Sequence, residues 1–310
     1  MADDKPGIGS AASDPQVKSQ YSAKDFAGDL DFATDDFDEG LDLKDINTEP
    51  MFINIGPSHP ATHGTFRIYA ELDGETVARA GVDVGYLHRG FEKIVEIKPY
   101  NQVIPYTDRL NYCSGLTNNV AYCKAIERML DIEVPARTQY IRVIIMEIQR
   151  IMDHMICVGT NIVDIGALTN FWYFYNAREK LNDTLEALTG ARLTYSYTRI
   201  GGLAWDLPDN WRENLKETLK EMPRAIADVS GLVKKNRIFL DRTRGVGMIS
   251  KEDAISYGWT GPCLRSTGCD LDLRKVRPYY HYDDFDFDIP VGANGDVYDR
   301  MMVRIAEMSV

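Results

Sequence analysis

The sequence lacks the cysteine pairs that a metal cluster or a disulfide framework requires. Its five cysteines, at positions 113, 123, 157, 263 and 269, include no C-x-x-C pair, and their number is odd. An iron–sulfur cluster needs four thiolates, and no spacing in this chain supplies them. A disulfide framework is not expected either. The closest pair, Cys263 and Cys269, fits two buried thiols better than a metal site.

Long apolar runs and basic stripes are also missing. The richest apolar stretch, residues 141–156, is interrupted by four charged residues, so no segment reaches the roughly 20 apolar residues of a membrane span. The first residues, MADDKPGIGS, have neither a basic n-region nor an arginine-rich presequence. We therefore expect no export or mitochondrial signal and a cytosolic location. Nucleic acid is not expected as a partner, because no basic stripe exists to contact phosphates.

Acidic residues are concentrated at the start of the chain. The net charge is −12, and residues 1–50 hold 13 Asp and Glu against 4 Lys, which leaves −3 for the rest. We predict that residues 1–49 form a disordered acidic leader. The alternative is that Phe26, Phe32 and Phe37, interleaved with the acids, dock this leader on a partner.

The hydrophobic pattern predicts an α+β protein with a mainly helical core. Residues alternate in polarity from Met51, and Asp73–Gly74 lies between two alternating runs, which indicates a hairpin. We predict a small β-rich N-terminal part over residues 50–96. Helical spacing follows and predicts a mainly helical core over residues 97–310, which we expect to lack its C-terminal portion.

One long helix should lie at the centre of that core. Residues from about 138 to 160 are apolar on nearly every side, with Thr138 as the expected cap. We expect four of its side chains to be nearly inaccessible to solvent, namely Ile144, Ile148, Ile151 and Met155. A polar stripe of Glu147, Arg150 and His154 interrupts this helix, and either a proton path or a satisfied buried network explains it.

Two histidines, His59 and His63, lie in the loop sequence GPSHPATHG. Pro57, Pro60 and Gly64 make this segment a turn rather than a helix, and no HExxH-type acid accompanies it, which argues against zinc. Two of the five histidines on one tight loop suggest a loop that presents an imidazole. The alternative is that each histidine caps a turn.

A second pattern links Arg89 to the segment YTDRLNYCSG. Arg89-Gly-Phe-Glu92 is followed after sixteen residues by Arg109. This spacing resembles the large subunit of nickel–iron hydrogenases, in which Arg-x-Cys-Gly-x-Cys follows and its cysteines hold the metal. Here the two cysteine positions are Asn111 and Ser114, and Cys113 falls on the variable position between them. The resemblance implies a scaffold that has lost its metal site and retains an empty cavity.

Several motifs together identify a closer family. Eight motifs occur in the following order from about Met51 to the C-terminus: NIGPSHPATHG, YLHRGFEK, DRLNY, TNIVDIGALT, RIGG, TRGVG, TGPCLRSTG and GDVYDRMMVRIAEM. They are similar to the D subunit (49 kDa type) of NADH:quinone oxidoreductase, respiratory complex I, a family related to hydrogenase large subunits. The resemblance implies an α+β fold like that of the hydrogenase subunit, without metal.

The resemblance also implies roles for individual residues. In the family, the quinone headgroup lies between the second histidine of the HPxTHG loop, here His63, and the tyrosine of DRxxY, here Tyr112. Donors at both carbonyl oxygens orient the ring and stabilise charge during reduction. Asp164 matches the aspartate that partners this histidine and holds one imidazole tautomer. The alternative for Asp164 is an N-cap for the helix beginning near Leu168.

The family further implies partners that supply the electrons. This chain is expected to hold no cofactor, because the terminal iron–sulfur cluster belongs to the B subunit and FMN to other partner subunits. Arg89 and Arg109 are expected near that cluster, and the alternative is that they pair with Glu92 or Asp108. The expected partners are the B, C and I subunits and the membrane-arm H subunit, with quinone as the substrate.

The expected function follows from these roles. The chain would form the quinone-reducing site of a complex that couples NADH oxidation to proton translocation. It would be inactive alone and bound peripherally to the cytoplasmic side of the inner membrane. Two alternatives are an active metal hydrogenase, against which Asn111 and Ser114 argue, and a non-catalytic assembly scaffold.

Overall fold

The computed structural model describes residues 50–310, so the predicted acidic leader lies outside the described residues. The chain divides into two compact units, one ending at Val84 and the other formed by Gly85–Val310. From the sequence pattern we predicted this boundary at residue 96. The first helix of the second unit, α1 (Phe91–Glu96), explains the difference, because the Phe91 ring packs 6.5 Å from the Tyr106 ring of that unit.

The first unit contains an antiparallel sheet of three strands in the order β1-β2-β3. The strands are β1 (Met51–Ile55), β2 (Arg67–Asp73) and β3 (Thr76–Asp83). The predicted hairpin is confirmed, since the chain reverses at Gly74, whose positive φ of 61° suits glycine. The 56–66 loop between β1 and β2 carries both histidines of the HPxTHG motif.

The second unit is mainly helical, as the pattern predicted. A short two-stranded sheet of β4 (Thr198–Arg199) and β5 (Gly202–Leu203) joins its helices. After α1, the helices are α2 (Tyr100–Thr107), α3 (Gly115–Leu130), α4 (Ala136–Asp164), α5 (Leu168–Thr189), α6 (Trp211–Leu219), α7 (Met222–Val233), α8 (Arg237–Thr243), α9 (Lys251–Ser256), α10 (Gly261–Arg265), α11 (Leu273–Val276) and α12 (Val297–Glu307). Among the described residues, no helix is long and apolar enough to cross a membrane.

Helix α4 is the central element of the core. It packs against α3, α5 and α12, and Met152 is completely inaccessible. The prediction holds for Ile148 and Met155, which are buried, but is wrong for Ile144, which is 36% exposed, and Ile151 is only partly buried. The reason is that the buried stripe runs through positions 141, 145, 148, 152 and 155, so 144 and 151 lie beside it.

The ends of α4 and α5 show which capping signals operate. Helix α4 begins at Ala136 with Pro135 as its N-cap residue, so the prediction that Thr138 caps the helix is wrong. Proline fixes φ near the helical value and lacks the N–H that a first turn leaves unpaired, which suits it to a helix start. Helix α5 ends at Gly190 in the left-handed conformation, with φ of 77°.

A buried ion pair connects α3 and α4 to the β4–β5 sheet. Glu127 of α3 and Arg142 of α4 form two hydrogen bonds, of 2.7 and 2.8 Å, and both side chains are nearly inaccessible. Arg142 also donates to the carbonyl oxygens of Arg199 and Gly202 and to the hydroxyl oxygen of Tyr280. One guanidinium therefore joins α3, α4, the β4–β5 sheet and the 279–282 segment.

Candidate functional site

The segment that joins α2 to α3, residues 108–115, carries two of the five predicted site residues, Arg109 and Tyr112, and is called the site turn below. A single turn of 3₁₀ helix, Tyr112–Ser114, leads into α3. The Asn111 amide donates to the Ser114 hydroxyl oxygen at 2.6 Å and to the Asp153 carboxylate of α4 at 3.4 Å. Asn111 and Ser114, which occupy the two cysteine positions of the hydrogenase pattern, therefore face each other across the turn.

Tyr112 projects from this turn with 60% of its surface exposed. Tyr175 of α5 lies near the turn: burial is the main cause that raises its pKa, and Cys113 and Tyr112 of the turn add to the rise. The rings of Phe171 and Tyr175 stack with centroids 3.8 Å apart, and the Arg178 guanidinium lies 5.4 Å from the Tyr175 ring centre.

Cys113 is a neutral thiol. Burial, followed by the negative charge of Asp153, raises the pKa of Cys113 to about 11. Only the thiolate is a good nucleophile, so the raised pKa makes Cys113 a poor nucleophile at neutral pH. Within residues 50–310, no group of three His, Cys, Asp or Glu side chains is arranged to hold a metal ion.

The two predicted arginines are exposed and can direct their charge to another partner. The Arg109 guanidinium donates to the Pro105 carbonyl oxygen at 2.5 Å, and Arg89 lies in the turn before α1. Over the described part of the chain, neither arginine forms an ion pair with Glu92 or Asp108, although the Arg109 charge opposes the rise in the pKa of Asp108.

Asp164 is the last residue of α4 and is exposed. The alternative that it caps the next helix is wrong, because Ala167 occupies the N-cap position of α5. Asp164 belongs to the helical unit with Tyr112, whereas His63 is an exposed residue of the β unit. In the same loop as His63, His59 Nδ1 accepts a hydrogen bond from the Ala61 backbone N–H at 3.1 Å, so the turn-capping alternative holds for His59.

Two carboxyl groups that the sequence patterns did not single out hold the site turn. Asp153, on α4 about three turns before Asp164, contacts Asn111 as described above. Asp108 accepts from the Ser196 backbone N–H at 3.0 Å and from its hydroxyl at 2.5 Å. Burial raises the pKa of Asp108, although the bonds from Ser196 oppose the rise. Two features of the sequence could have pointed to these residues: Asp153 is an acid within an apolar helix, and Asp108 is an acid next to Arg109.

The polar stripe of α4 is part of a buried network. His154 Nε2 lies 2.7 Å from a carboxylate oxygen of Glu307, and the Arg265 Nε donates to the other oxygen at 2.9 Å. Burial lowers the pKa of His154 even though Glu307 favours its protonation. Burial works to raise the pKa of Glu307, but the His154 hydrogen bond and the Arg265 charge lower it below its usual range.

The second half of the network surrounds Glu147. It accepts hydrogen bonds from Arg150 at 2.9 Å, Arg274 at 3.2 Å and the Tyr282 hydroxyl at 2.5 Å. The negative charge of Glu147 is therefore compensated by the adjacent guanidinium groups of Arg150 and Arg274. Each residue of the stripe thus has a hydrogen-bonded partner, as the network alternative expects.

Comparison with known proteins assigns the chain to a family. Residues 164–310 match the family model described as the 49 kDa subunit of the respiratory-chain NADH dehydrogenase. The chain is 53% identical over 263 residues to the C/D subunit of the NADH-quinone oxidoreductase of Bdellovibrio bacteriovorus, covering 85% of this chain and 47% of that protein. It is 53% identical over 260 residues to the D subunit of the Methylacidiphilum infernorum enzyme, covering 84% and 62%.

A Bacillus cereus relative completes the assignment. The D subunit of its NADH-quinone oxidoreductase is 50% identical over 263 residues, which cover 85% of this chain and 72% of that protein. The chain thus spans about half to three quarters of the length of these relatives. It belongs to the family of the 49 kDa subunit of respiratory NADH dehydrogenase, whose bacterial members are named as the D subunit of NADH-quinone oxidoreductase.

Proposed function

We propose that this chain forms the quinone-reducing site of an NADH:quinone oxidoreductase that couples NADH oxidation to proton translocation. The observation that carries the proposal is the site turn, where Asn111 and Ser114 bond to each other beside an exposed Tyr112. In the hydrogenase pattern these two positions carry cysteines that hold a metal. Here their side chains are joined by a hydrogen bond between two uncharged groups. In this proposal an uncharged aromatic ligand binds beside them.

The chemistry needed at such a site is limited to positioning and proton donation. A quinone that takes up two electrons and two protons becomes a hydroquinone, and charge develops on its two carbonyl oxygens. The Tyr112 hydroxyl would donate to one oxygen and the His63 imidazole to the other. Asp164 would orient that imidazole and hold it as the required tautomer.

The electrons are supplied by a partner's iron–sulfur cluster in this proposal, and FMN belongs to a further partner. Arg89 and Arg109 support this part of the proposal. Both are exposed cations that form no ion pair among residues 50–310. Such cations suit a negatively charged cluster held by a partner chain. The partners are the B, C, I and H subunits. We place the chain peripherally on the cytoplasmic side of the inner membrane, held there by these partners.

The test is Tyr112→Phe in an assembled complex. The change removes one hydroxyl and keeps the ring, so the lost donor should weaken quinone or transition-state binding by about 1–3 kcal/mol. Quinone reduction should fall or the KM for quinone should rise, while reduction of a hydrophilic acceptor at the upstream flavin stays constant. Tyr257→Phe, at an exposed tyrosine outside the site turn, is the matched control. Unchanged quinone kinetics in Tyr112→Phe would remove Tyr112 from the site.

The assembly-scaffold alternative is tested by the same variants. If Tyr112→Phe and His63→Gln complexes assemble fully but reduce quinone as the wild type does, the chain is a scaffold and the proposal fails. The metal-hydrogenase alternative would return only if purified complex contained nickel bound to this chain.

A further inference from the structure

One face of the three-stranded sheet is entirely apolar. Side chains alternate between the two faces along a strand, and cross-strand partners share a face. The register shifts between Glu71 and Leu72, which places Val77 on the same face as Leu72. This face, called the apolar face below, is formed by nine residues, namely Met51, Ile53 and Ile55 of β1, Ile68, Ala70 and Leu72 of β2, and Val77, Ala80 and Val82 of β3.

The opposite face carries the charged residues of the three strands. Arg79 Nε lies 3.9 Å from a carboxylate oxygen of Glu71, and Arg67 donates to the Asp83 carboxylate at 2.9 Å. These cross-strand ion pairs suit a surface in contact with water. An antiparallel sheet of this pattern exposes its polar face and buries its apolar face against another layer.

The apolar face is nevertheless largely exposed. Ala70 is the one buried residue of the nine, whereas Val82 is 64%, Val77 57% and Met51 53% exposed. Isolated exposed apolar side chains are common on protein surfaces, but a contiguous apolar face marks a site of interaction. The apolar face therefore needs a cover.

The acidic leader is attached directly to this sheet. It comprises residues 1–49, and β1, which is an edge strand, begins at Met51. Five apolar residues of the leader are spaced four, three, four and four positions apart, namely Phe26, Leu30, Ala33, Phe37 and Leu41. On a helix with 3.6 residues per turn they would form one stripe about 80° wide. The eight acidic residues between positions 25 and 42 would all lie outside that stripe.

The dimensions of the leader match those of the apolar face. A helix over residues 23–41 would be about 28 Å long. The face extends about 26 Å along the eight residues of β3 and about 10 Å across three strands. Residues 42–50 can span up to about 30 Å when extended, which is enough for the chain to turn back from β1 and cross the face.

We propose that residues 23–41 form an amphipathic helix that covers the apolar face of the sheet in the same chain. Because the leader is joined to β1, this contact is intramolecular and its effective concentration is high. The acids of the leader would face solvent, away from residues 50–84, which carry four acids against two arginines. A second copy of the sheet would cover the face as well, but it would leave the apolar stripe of the leader uncovered.

The proposal extends beyond the function proposed above and does not depend on quinone chemistry. It replaces a leader that is disordered throughout by one that folds onto its own sheet. The sheet also carries the 56–66 loop between β1 and β2, so the leader would stabilise the scaffold of that loop.

Photocross-linking of the full 310-residue chain tests the contact directly. The photoreactive residue p-benzoylphenylalanine would replace Phe37, which lies in the apolar stripe, and the cross-linked peptides would be identified by mass spectrometry. We expect cross-links within one chain to peptides that contain residues 51–55, 67–73 or 76–83. The same replacement at Phe32 is the matched control, because Phe32 would lie on the acidic side of the helix and should lose these cross-links.

The other outcomes overturn the proposal. A cross-linked product of twice the chain mass would mean that a second copy provides the contact. Cross-links from position 37 to residues 85–310, or to a partner chain in the assembled complex, would mean that the leader binds elsewhere. Equal cross-linking from positions 32 and 37 would mean that the leader has no fixed orientation, and the absence of cross-links would mean that it does not dock.

Hydrogen exchange measured by mass spectrometry gives a second test on the full chain. Phe37→Ala should speed amide exchange in residues 51–55 and 76–83, whereas Phe32→Ala should not. Val82→Gln, on the apolar face, should speed exchange in residues 23–41, and Phe52→Gln, at an exposed residue of the opposite face, should leave it unchanged. Phe37→Ala lies outside the sheet, so it remains decisive if Val82→Gln does not fold. Identical exchange in Phe37→Ala and Phe32→Ala would contradict the proposal, while Tyr112→Phe tests the proposed function separately.

Discussion

Glu127→Gln should destabilise the helical unit far more than its small change in shape suggests. The substitution leaves Arg142 charged and inaccessible with only neutral acceptors, namely one amide oxygen, two backbone carbonyl oxygens and the Tyr280 hydroxyl. It also places an amide N–H₂ against either the guanidinium or the Gly201 N–H, which now donates to Glu127 Oε1 at 2.7 Å. Removing one member of a buried ion pair costs about 3–5 kcal/mol, because the other charge stays buried without compensation.

The magnitude can be read from thermal and urea unfolding followed by circular dichroism. For a domain of this size, about 1 kcal/mol shifts Tm by roughly 2–4 °C, so a decrease of about 6–12 °C or more is expected. Asp206→Asn is the matched control, because Asp206 pairs with Arg137 at 2.9 Å with both side chains about two-thirds exposed. An exposed pair contributes only about 0–1 kcal/mol.

A double substitution separates charge from packing. Glu127→Leu with Arg142→Met replaces the pair by apolar side chains of similar length, and such replacements are often neutral in stability. The double variant should therefore be more stable than Glu127→Gln. If Glu127→Gln were no less stable than Asp206→Asn, the buried pair would not hold these elements together and the reasoning would be refuted.

Two further predictions concern the buried network and Cys113. The pKa of His154 is lowered by burial from its ordinary 6.5, so the unfolded chain binds this proton more readily and stability falls as pH drops below about 6.5. Glu307, whose pKa is lowered from 4.5, adds a further loss below that value. His154→Gln should reduce the first loss selectively in Tm measured against pH, and parallel curves for both proteins would contradict this. Cys113, with a pKa of about 11, should react with iodoacetamide at pH 7 at well under a tenth of the rate of an unperturbed thiol, whereas rapid labelling of an intact complex would show a thiolate.

Local signals predicted those features of the fold that depend on a few adjacent residues. The hairpin at Asp73–Gly74 and the C-cap at Gly190 need only a residue that tolerates positive φ between matching patterns. The choice of buried face on α4 was less predictable, because a helix that is apolar on nearly all sides has no unique inward stripe. Packing of α4 against its neighbouring helices decides which residues are covered, and it leaves Ile145 inaccessible and Ile144 36% exposed.

Long-range contacts limited the prediction of the site. The spacing from Arg89 to Arg109 singled out the segment YTDRLNYCSG, because such a motif can be read from one short stretch of sequence. Asp108 could not be recognised as a buried acid, because Ser196, which holds it, is 88 residues away. Glu307, the partner of His154, is 153 residues away, so the nature of the polar stripe was equally hidden. Sequence patterns identify a polar side chain but not the partner that satisfies it.

The central claim is that quinone binds beside the site turn, and photoaffinity labelling tests it most directly. An assembled complex would be irradiated with a photoreactive quinone analogue, with and without excess quinone, and the labelled peptides identified by mass spectrometry. We expect competed labelling of peptides that contain residues 108–115 or Phe171 and Tyr175. Competed labelling confined to partner chains, or to parts of this chain outside those segments and the 56–66 loop, would contradict it.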